Sequence, residues 1–239
     1  MNEQPIYKRI VLKMSGEALA GPSGFGIDPD RAEEIGEKIK RVHSLGVQVA
    51  VVIGGGNIWR GSIGVERGME QSVADHIGMI ATVMNGLALQ DALERLDVTT
   101  RVQTAIAMNA VAEPYIRLRA IRHMEKGRVV IMTGGTGNPY FTTDSAAALR
   151  AMEIKADIVI KATKVNGVYT ADPHKDSSAI RYTTLGYQQV IMDRLEVMDM
   201  TAFTLCQENN MPILVLDLWS DDDLYQAVLG KFEVGTLIR

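Results

Sequence analysis

Apolar and polar positions along this chain follow two periods. Short apolar runs rich in β-branched residues mark buried strands, and longer stretches with apolar residues at helical spacing mark helices. The runs predict strands at Arg9 to Met14, Val47 to Ile53, Thr100 to Gln103, Val129 to Thr133, Asp157 to Lys161 and Ile213 to Leu216. Helices are predicted at Pro29 to Leu45, Val73 to Leu96, Ala112 to Glu125, Thr143 to Met152 and Thr201 to Asn209, with one more after Ser220. Asp28 or Asp30 caps the first helix, Asp30 with Glu33 as a capping pair, and Gly46 stands where a C′ glycine belongs. Val73, Ile77, Ile80, Met84 and Leu87 give the second helix an apolar stripe. Lys164 to Thr170 reads as a hairpin turning at Asn166-Gly167, and Gly235 to Ile238 as an edge strand. Strands alternating with helices imply an α/β fold with a mainly parallel sheet. No repeat or linker interrupts the pattern, so residues 1–239 are expected to form a single domain.

Composition narrows the chemistry. The net charge of -4 and an aromatic content of 5% give no basic or base-stacking surface for nucleic acid. One cysteine, Cys206, excludes an intrachain disulfide and fits a reducing, cytoplasmic setting. The first nine residues lack the apolar core of a secretory leader, and no apolar stretch approaches the ~20 residues that span a bilayer. The 13 methionines read as core filler. His43, His76, His123 and His174 are scattered without metal-ligand spacing.

The informative residue is Lys13. It sits near the end of the first apolar run, where a charge cannot be left unpaired, so it either reaches the surface or faces a fixed anion. Gly54-Gly55-Gly56 follows the next strand. Successive glycines let backbone N–H groups approach an anion, or simply make a tight strand-to-helix turn. Arg60 follows within reach as a bidentate phosphate partner or a solvated side chain. Thr136, Asn138, Thr142, Thr143 and Asp144 surround a further helix start, suited to an anion or to capping alone. Asp75 opens a long helix, as a surface acid or a sugar-hydroxyl acceptor. Lys161 and Lys164 repeat the Lys13 pattern at another strand end, and Asp172-Pro173 closes the turn beyond. GxxxxGK[ST], HExxH, GxSxG and a post-strand GxGxxG are all missing. Three turn-rich loops at strand ends suggest a phosphate site at the carboxyl edge of a parallel sheet.

These residues resemble the amino acid kinase family. The matching stretches are KRIVLKMSGEAL (Lys8 to Leu19), VVIGGGNIWRG (Val51 to Gly61), DHIGMIATVMNGLALQDAL (Asp75 to Leu93), GTGNPYFTTDSAAALR (Gly135 to Arg150), KATKVNGVYTADP (Lys161 to Pro173) and VMDMTAF (Val197 to Phe203). The resemblance implies a three-layer αβα sandwich around a mainly parallel sheet of about eight strands. It also implies transfer of the ATP γ-phosphoryl group to UMP, giving UDP for pyrimidine nucleotide synthesis. On this likeness Lys13, Met14, Ser15, Gly16, Gly56 and Arg60 would meet ATP, and Thr163, Tyr169 and Asp172 its adenosine. Gly55, Asp75, Thr136, Gly137, Asn138, Pro139, Tyr140, Phe141, Thr142 and Thr143 would hold UMP. Lys13 and Lys161 would neutralise developing charge. Mg²⁺ would bridge the phosphates, with Asp144 holding it or orienting the lysines and Asp199 sharing the second task. Gly21, Pro22, Ser23, Gly24, Phe25 and Gly26 match a region linked to activation by GTP, and such enzymes are typically homohexamers inhibited by UTP. Asn166 stands where many relatives carry Asp, and Tyr169 where some carry Phe. Alternatives are an amino acid or carbamate kinase, or a non-catalytic nucleotide sensor.

Overall fold

A computed structural model describes residues 4–195 and 197–239. Its strands are β1 (Arg9–Met14), β2 (Gln48–Ile53), β3 (Thr100–Thr104), β4 (Glu113–Pro114), β5 (Val129–Thr133), β6 (Ile158–Thr163), β7 (Thr184–Leu185), β8 (Ile213–Asp217) and β9 (Gly235–Ile238). They form one sheet in the order β4-β3-β5-β2-β1-β6-β8-β9-β7, parallel throughout except for β8 against β9. The strand at Gly235 is therefore next to the edge, and the two-residue β7 lies outside it.

The helices are α1 (Pro29–His43), α2 (Gly61–Glu66), α3 (Gln71–Arg95), α4 (Arg117–Glu125), α5 (Thr143–Ile154), α6 (Tyr187–Met192), α7 (Met200–Glu208) and α8 (Asp223–Val228). Two apolar layers result, because both faces of a parallel sheet must be covered. Ile10, Leu12 and Met14 of β1 face α1, α3 and α8, with Ile35, Leu89 and Val228 among their partners. Val11 faces the opposite layer, where Ala147 of α5, Met124 of α4 and Phe203 of α7 pack. Asp28, not Asp30, caps α1, accepting from the Asp30 N–H at 2.9 Å.

Several expectations are corrected. The helix predicted from Ala112 begins at Arg117, because Glu113–Pro114 pairs with β3 as β4. Asn166-Gly167 does not turn a hairpin. A type I′ turn needs positive φ at both residues, and of the two only Gly167 has it, at 149°. Residues 168–170 pair instead with 180–182, Tyr182 N donating to Val168 O at 2.9 Å.

The apolar stripe of α3 is not its buried side. Val73, Ile80 and Met84 are 45%, 44% and 48% exposed, while Ala74, Ala81, Val83, Leu89 and Ala92 face the sheet. Close approach selects small residues there: a Cβ on Gly86 would stand 2.5 Å from Thr133 Cγ2. The 25-residue α3 contains an 18-residue stretch with a mean hydropathy of 1.2, so by length and composition it also resembles a bilayer span, contrary to expectation, though in this fold it forms part of a helical layer. Met84, Met192 and Met200 are exposed rather than core filler.

Candidate active site

The register of the sheet builds the centre of the site. β1 and β6 are adjacent, and Lys13 pairs with Lys161. Their alternation with Leu12 and Ile160, which belong to the other layer, turns both lysines toward α5. Asp144, in the first turn of α5, holds Lys13 through Oδ1 and Lys161 through Oδ2, the latter at 2.8 Å. Lys13 is 8% exposed and Asp144 9%. The fixed anion that Lys13 required is thus Asp144.

Burial opposes ionisation of Asp144, yet Lys13 and Lys161 outweigh it and hold the carboxyl below its ordinary value. Burial, aided by the neighbouring Lys13 charge, pushes Lys161 below an ordinary lysine despite Asp144. Two ammonium groups sharing one carboxylate leave surplus positive charge. The amino end of α5 adds to it, so the spot favours an anion.

Asp199 acts on Lys161 through its charge, which favours the ammonium. It caps α7 through Ala202 N at 3.0 Å, accepts from the Ser145 hydroxyl at 3.0 Å and accepts from the Thr142 hydroxyl. It therefore orients the start of α5. Thr142 spends its hydroxyl on Asp199 and on the N–H groups of Asp144 and Ser145, at 3.0 and 3.2 Å, which is capping rather than free ligand binding.

The residues do not fit a protein-held metal. Both Asp144 oxygens are engaged by ammonium groups, both Asp199 oxygens accept from N–H or O–H donors, and no cluster of three His, Cys, Asp or Glu occurs among the described residues. In this arrangement Asp144 orients the two lysines. His76 contacts Ser72 O at 2.6 Å and His123 contacts Glu113 at 3.0 Å, both local roles. Cys206 is buried, and burial pushes its thiol up to about 12, so it is no nucleophile at neutral pH.

The glycine turn is explained by close approach rather than by unusual φ, since none of Gly54, Gly55 and Gly56 has positive φ. A Cβ on Gly55 would meet Gly78 O at 2.7 Å, whereas Gly56 has nothing within 4 Å. A Cβ on Gly16 would meet Asn57 Oδ1 at 2.4 Å and Gly54 O at 2.5 Å. Sequence reasoning missed the residue that ties these turns together. Asn57 lies at the end of the glycine turn and donates to Gly26 O at 2.7 Å, while Asn85 of α3 donates to Gly54 O at 2.7 Å. The loop Gly21 to Gly26 is docked on the same residue, Gly26 N donating to Asn57 O at 2.9 Å. Phe25 on that loop is exposed.

Of several clefts around this centre, two carry many of the residues expected to hold the nucleotides. One, of about 160 Å³, is lined by Gly55, Gly56, Asp75, Phe141, Thr142 and Thr143. Trp59, Met79 and Thr82 also line it and were not anticipated. Asp75 accepts from Tyr140 N at 2.8 Å and from Gln71 at 2.7 Å, so it anchors the adjacent loop. In that loop Thr136 Oγ1 accepts from Asn138 N at 3.2 Å, and Gly137 and Tyr140 adopt φ of 93° and 71°. Pro139 lies between them. The other cleft, of about 520 Å³, is lined by Lys161, Thr163, Tyr169, Asp172, Arg194 and Val215, among others. Tyr169 donates to Asn166 Oδ1 at 2.5 Å.

Arg60 and Lys164 meet at Glu17, which sequence reasoning did not single out. Arg60 pairs with Glu17 Oε1, and Lys164 with Oε2 at 3.0 Å. Lys161, not Lys164, therefore joins the buried centre. Glu17 follows Ser15, whose hydroxyl accepts from Glu17 N at 3.3 Å and starts a 3₁₀ turn, Gly16–Leu19. The hydrogen bond from Lys164, with the charges of Lys164 and Arg60, holds the Glu17 carboxyl below its ordinary value.

A chain with paired lysines, a bridging aspartate and glycine turns at one sheet edge has known relatives. The model of the amino acid kinase family matches residues 8–217. The structure superposes on a UMP kinase from Bacillus anthracis with a TM-score of 0.94 and 41% identity, over 98% of this chain and 96% of that one. A UMP kinase from Ureaplasma parvum gives 0.89 and 39%, over 100% and 99% of the two chains. A uridylate kinase from Archaeoglobus fulgidus gives 0.75 and 32%, over 96% and 99%. By the extent of these matches as well as by its site, the chain belongs to the amino acid kinase family.

Proposed function

We propose that the chain transfers the γ-phosphoryl group of ATP to UMP, giving UDP and ADP. The observation that carries this reading is the Lys13–Asp144–Lys161 bridge, a buried and preorganised cationic centre between two clefts at the carboxyl edge of the sheet. Similarity to three structures described as UMP or uridylate kinases selects the acceptor.

The acceptor oxygen belongs to the UMP phosphate and is already ionised, so no general base is needed. Catalysis rests on alignment of the two nucleotides and on charge stabilisation. Lys13 and Lys161 face the transferred group and neutralise the charge that develops on its oxygens. Asp144 keeps both ammonium groups aimed, and Asp199 fixes Asp144 by holding the start of α5 through Thr142 and Ser145. The larger cleft takes ATP, with Thr163, Tyr169 and Asp172 around the adenosine, Ser15 and Gly16 on the phosphates and Met14 behind them. The smaller cleft takes UMP, with Asp75 near the ribose, Gly55 beneath the phosphate and the loop from Thr136 to Thr143 as its wall. A divalent cation, Mg²⁺, would enter with ATP and supply positive charge to its phosphates.

The proposal extends to the whole chain working as one domain in the cytoplasm, in pyrimidine nucleotide synthesis. It includes assembly as a homohexamer, with the exposed side of α3 available for contacts, activation by GTP through the loop from Gly21 to Gly26, and inhibition by UTP. The deciding experiment is ADP release measured with UMP, CMP, aspartate, glutamate and carbamate as acceptors. Turnover with UMP far above the others is expected. Preference for aspartate, glutamate or carbamate would replace the reading with another member chemistry of the family.

A further inference from the structure

Four cations of the site fall into two sets, each with its own carboxylate. Lys13 and Lys161 share Asp144, and Arg60 and Lys164 share Glu17. The two carboxylates are held differently. Asp144 sits in the first turn of a 12-residue helix and is 9% exposed. Glu17 sits on a single 3₁₀ turn with its side chain 30% exposed, and its partners Arg60 and Lys164 are 57% and 66% exposed at the side chain. Exposed pairs of this kind are weak and open readily, whereas a buried bridge does not.

The placement of Glu17 matters as much as its exposure. A cleft of about 340 Å³ at the ends of β1 and β6 is lined by Lys13, Lys161 and Lys164, over a floor of Ala18, Ala162, Leu218 and Trp219. Glu17 is the one carboxylate among its lining residues. The Glu17 side chain thus joins loops from three strands: its own after β1, that of Arg60 after β2 and that of Lys164 after β6. Each of its oxygens is engaged by one cation, as two oxygens of a phosphate chain would be.

We propose that Glu17 is an exchangeable counter-anion, which holds Arg60 and Lys164 in the nucleotide-free enzyme and yields them to the phosphates of ATP. Asp144 is the permanent counterpart, kept through the cycle. The exchange keeps the cations in place and prevents two unpaired positive charges, those of Arg60 and Lys164, from facing each other. It also sets the affinity: part of the attraction between ATP and the two cations offsets the loss of Glu17. The inference rests on the ATP reading given above.

The test is ATP binding by titration calorimetry to wild type, Glu17→Gln and Glu17→Asp, with inorganic tripolyphosphate and adenosine as probes. Glu17→Gln keeps the shape and removes the competing charge. It is expected to tighten ATP and tripolyphosphate by about two- to fivefold, the scale of exposed ion pairs, and to leave adenosine unchanged. Glu17→Asp, one methylene shorter, is expected to shift in the same direction by less. Binding of ATP that is unchanged or weaker in Glu17→Gln, or a parallel shift for adenosine, overturns the exchange. Turnover of UMP by the wild type separates the two readings: an active wild type with unshifted Glu17→Gln counts against the exchange alone, and an inactive wild type counts against the function.

Discussion

Asn57 and Asn85 hold each other by both ends of their amides: Asn57 Nδ2 donates to Asn85 Oδ1 at 3.0 Å, and Asn85 Nδ2 donates to Asn57 Oδ1 at 2.7 Å. Both are almost fully buried, and each amide also donates to a backbone carbonyl, of Gly26 and Gly54 respectively. Asn85→Ala leaves the Asn57 amide and the Gly54 carbonyl underserved in a dry place. A loss of about 1–3 kcal/mol in urea unfolding is expected, together with a raised KM for UMP as the Gly54–Gly56 turn loosens. A variant with wild-type stability and KM would show that the amide pair positions nothing.

Lys13→Ala removes one of two cations aimed at the transferred group. kcat is expected to fall by about two to three orders of magnitude, with circular dichroism and nucleotide binding largely retained. Turnover near the wild-type rate would remove Lys13 from the mechanism.

Asp144→Asn strips the shared carboxylate from two buried ammonium groups. Breaking a buried pair in this way costs about 3–5 kcal/mol, which chemical denaturation would register. The acid limb of stability should change too. The folded carboxyl titrates below its ordinary 3.8, so its contribution is complete above about pH 4 and is lost as pH falls through the lowered value. An amide at this position does not titrate, so the stability curve of the variant should be flatter below about pH 4.

Lys161 titrates below the ordinary 10.5 of a lysine and acts in its charged form. The free enzyme should therefore lose kcat/KM on the alkaline side at a pH below 10.5, as the ammonium deprotonates. Lys161→Arg, which stays charged, should carry that limb out of range. An unchanged alkaline limb in the arginine variant would assign it to another group.

Gly55 and Gly56 should separate fold from ligand binding. Gly55→Ala places a Cβ 2.7 Å from the Gly78 carbonyl and 3.0 Å from Ala81 Cβ, an overpacking worth about 1–3 kcal/mol. Gly56→Ala meets nothing within 4 Å, so its melting temperature should match wild type while the KM for nucleotide rises.

Much of this was readable in advance where a local rule governs. β1 and β5 lie where the apolar runs place them, since four or five buried residues in a row leave little ambiguity. Burial of Lys13 reduced its options to the surface or a fixed anion, and the structure selects the second. What failed depends on neighbours. The stripe of α3 points outward because the inward side had to be small, as Gly86 against Thr133 shows, and small residues carry a weak hydrophobic signal. Glu17, Asn57 and Asn85 are ordinary polar residues in sequence, and their roles arise only when β1, β2, α3 and β6 are brought together. Thr142 looked like a ligand and serves as a cap because Asp199, 57 positions away, accepts its hydroxyl.

The pairing of Lys13 with Lys161 has a consequence for folding as well as for chemistry. Two like charges on adjacent parallel strands repel unless a carboxylate stands over both, and only the register that aligns Lys13 with Lys161 puts them under Asp144. A slip of one residue would send one lysine to the opposite face of the sheet, among Leu12 and Ile160, where burial of a lone ammonium is prohibitive. Asp144 thus proofreads the alignment of β1 and β6: a chain that closes its sheet wrongly forfeits the bridge.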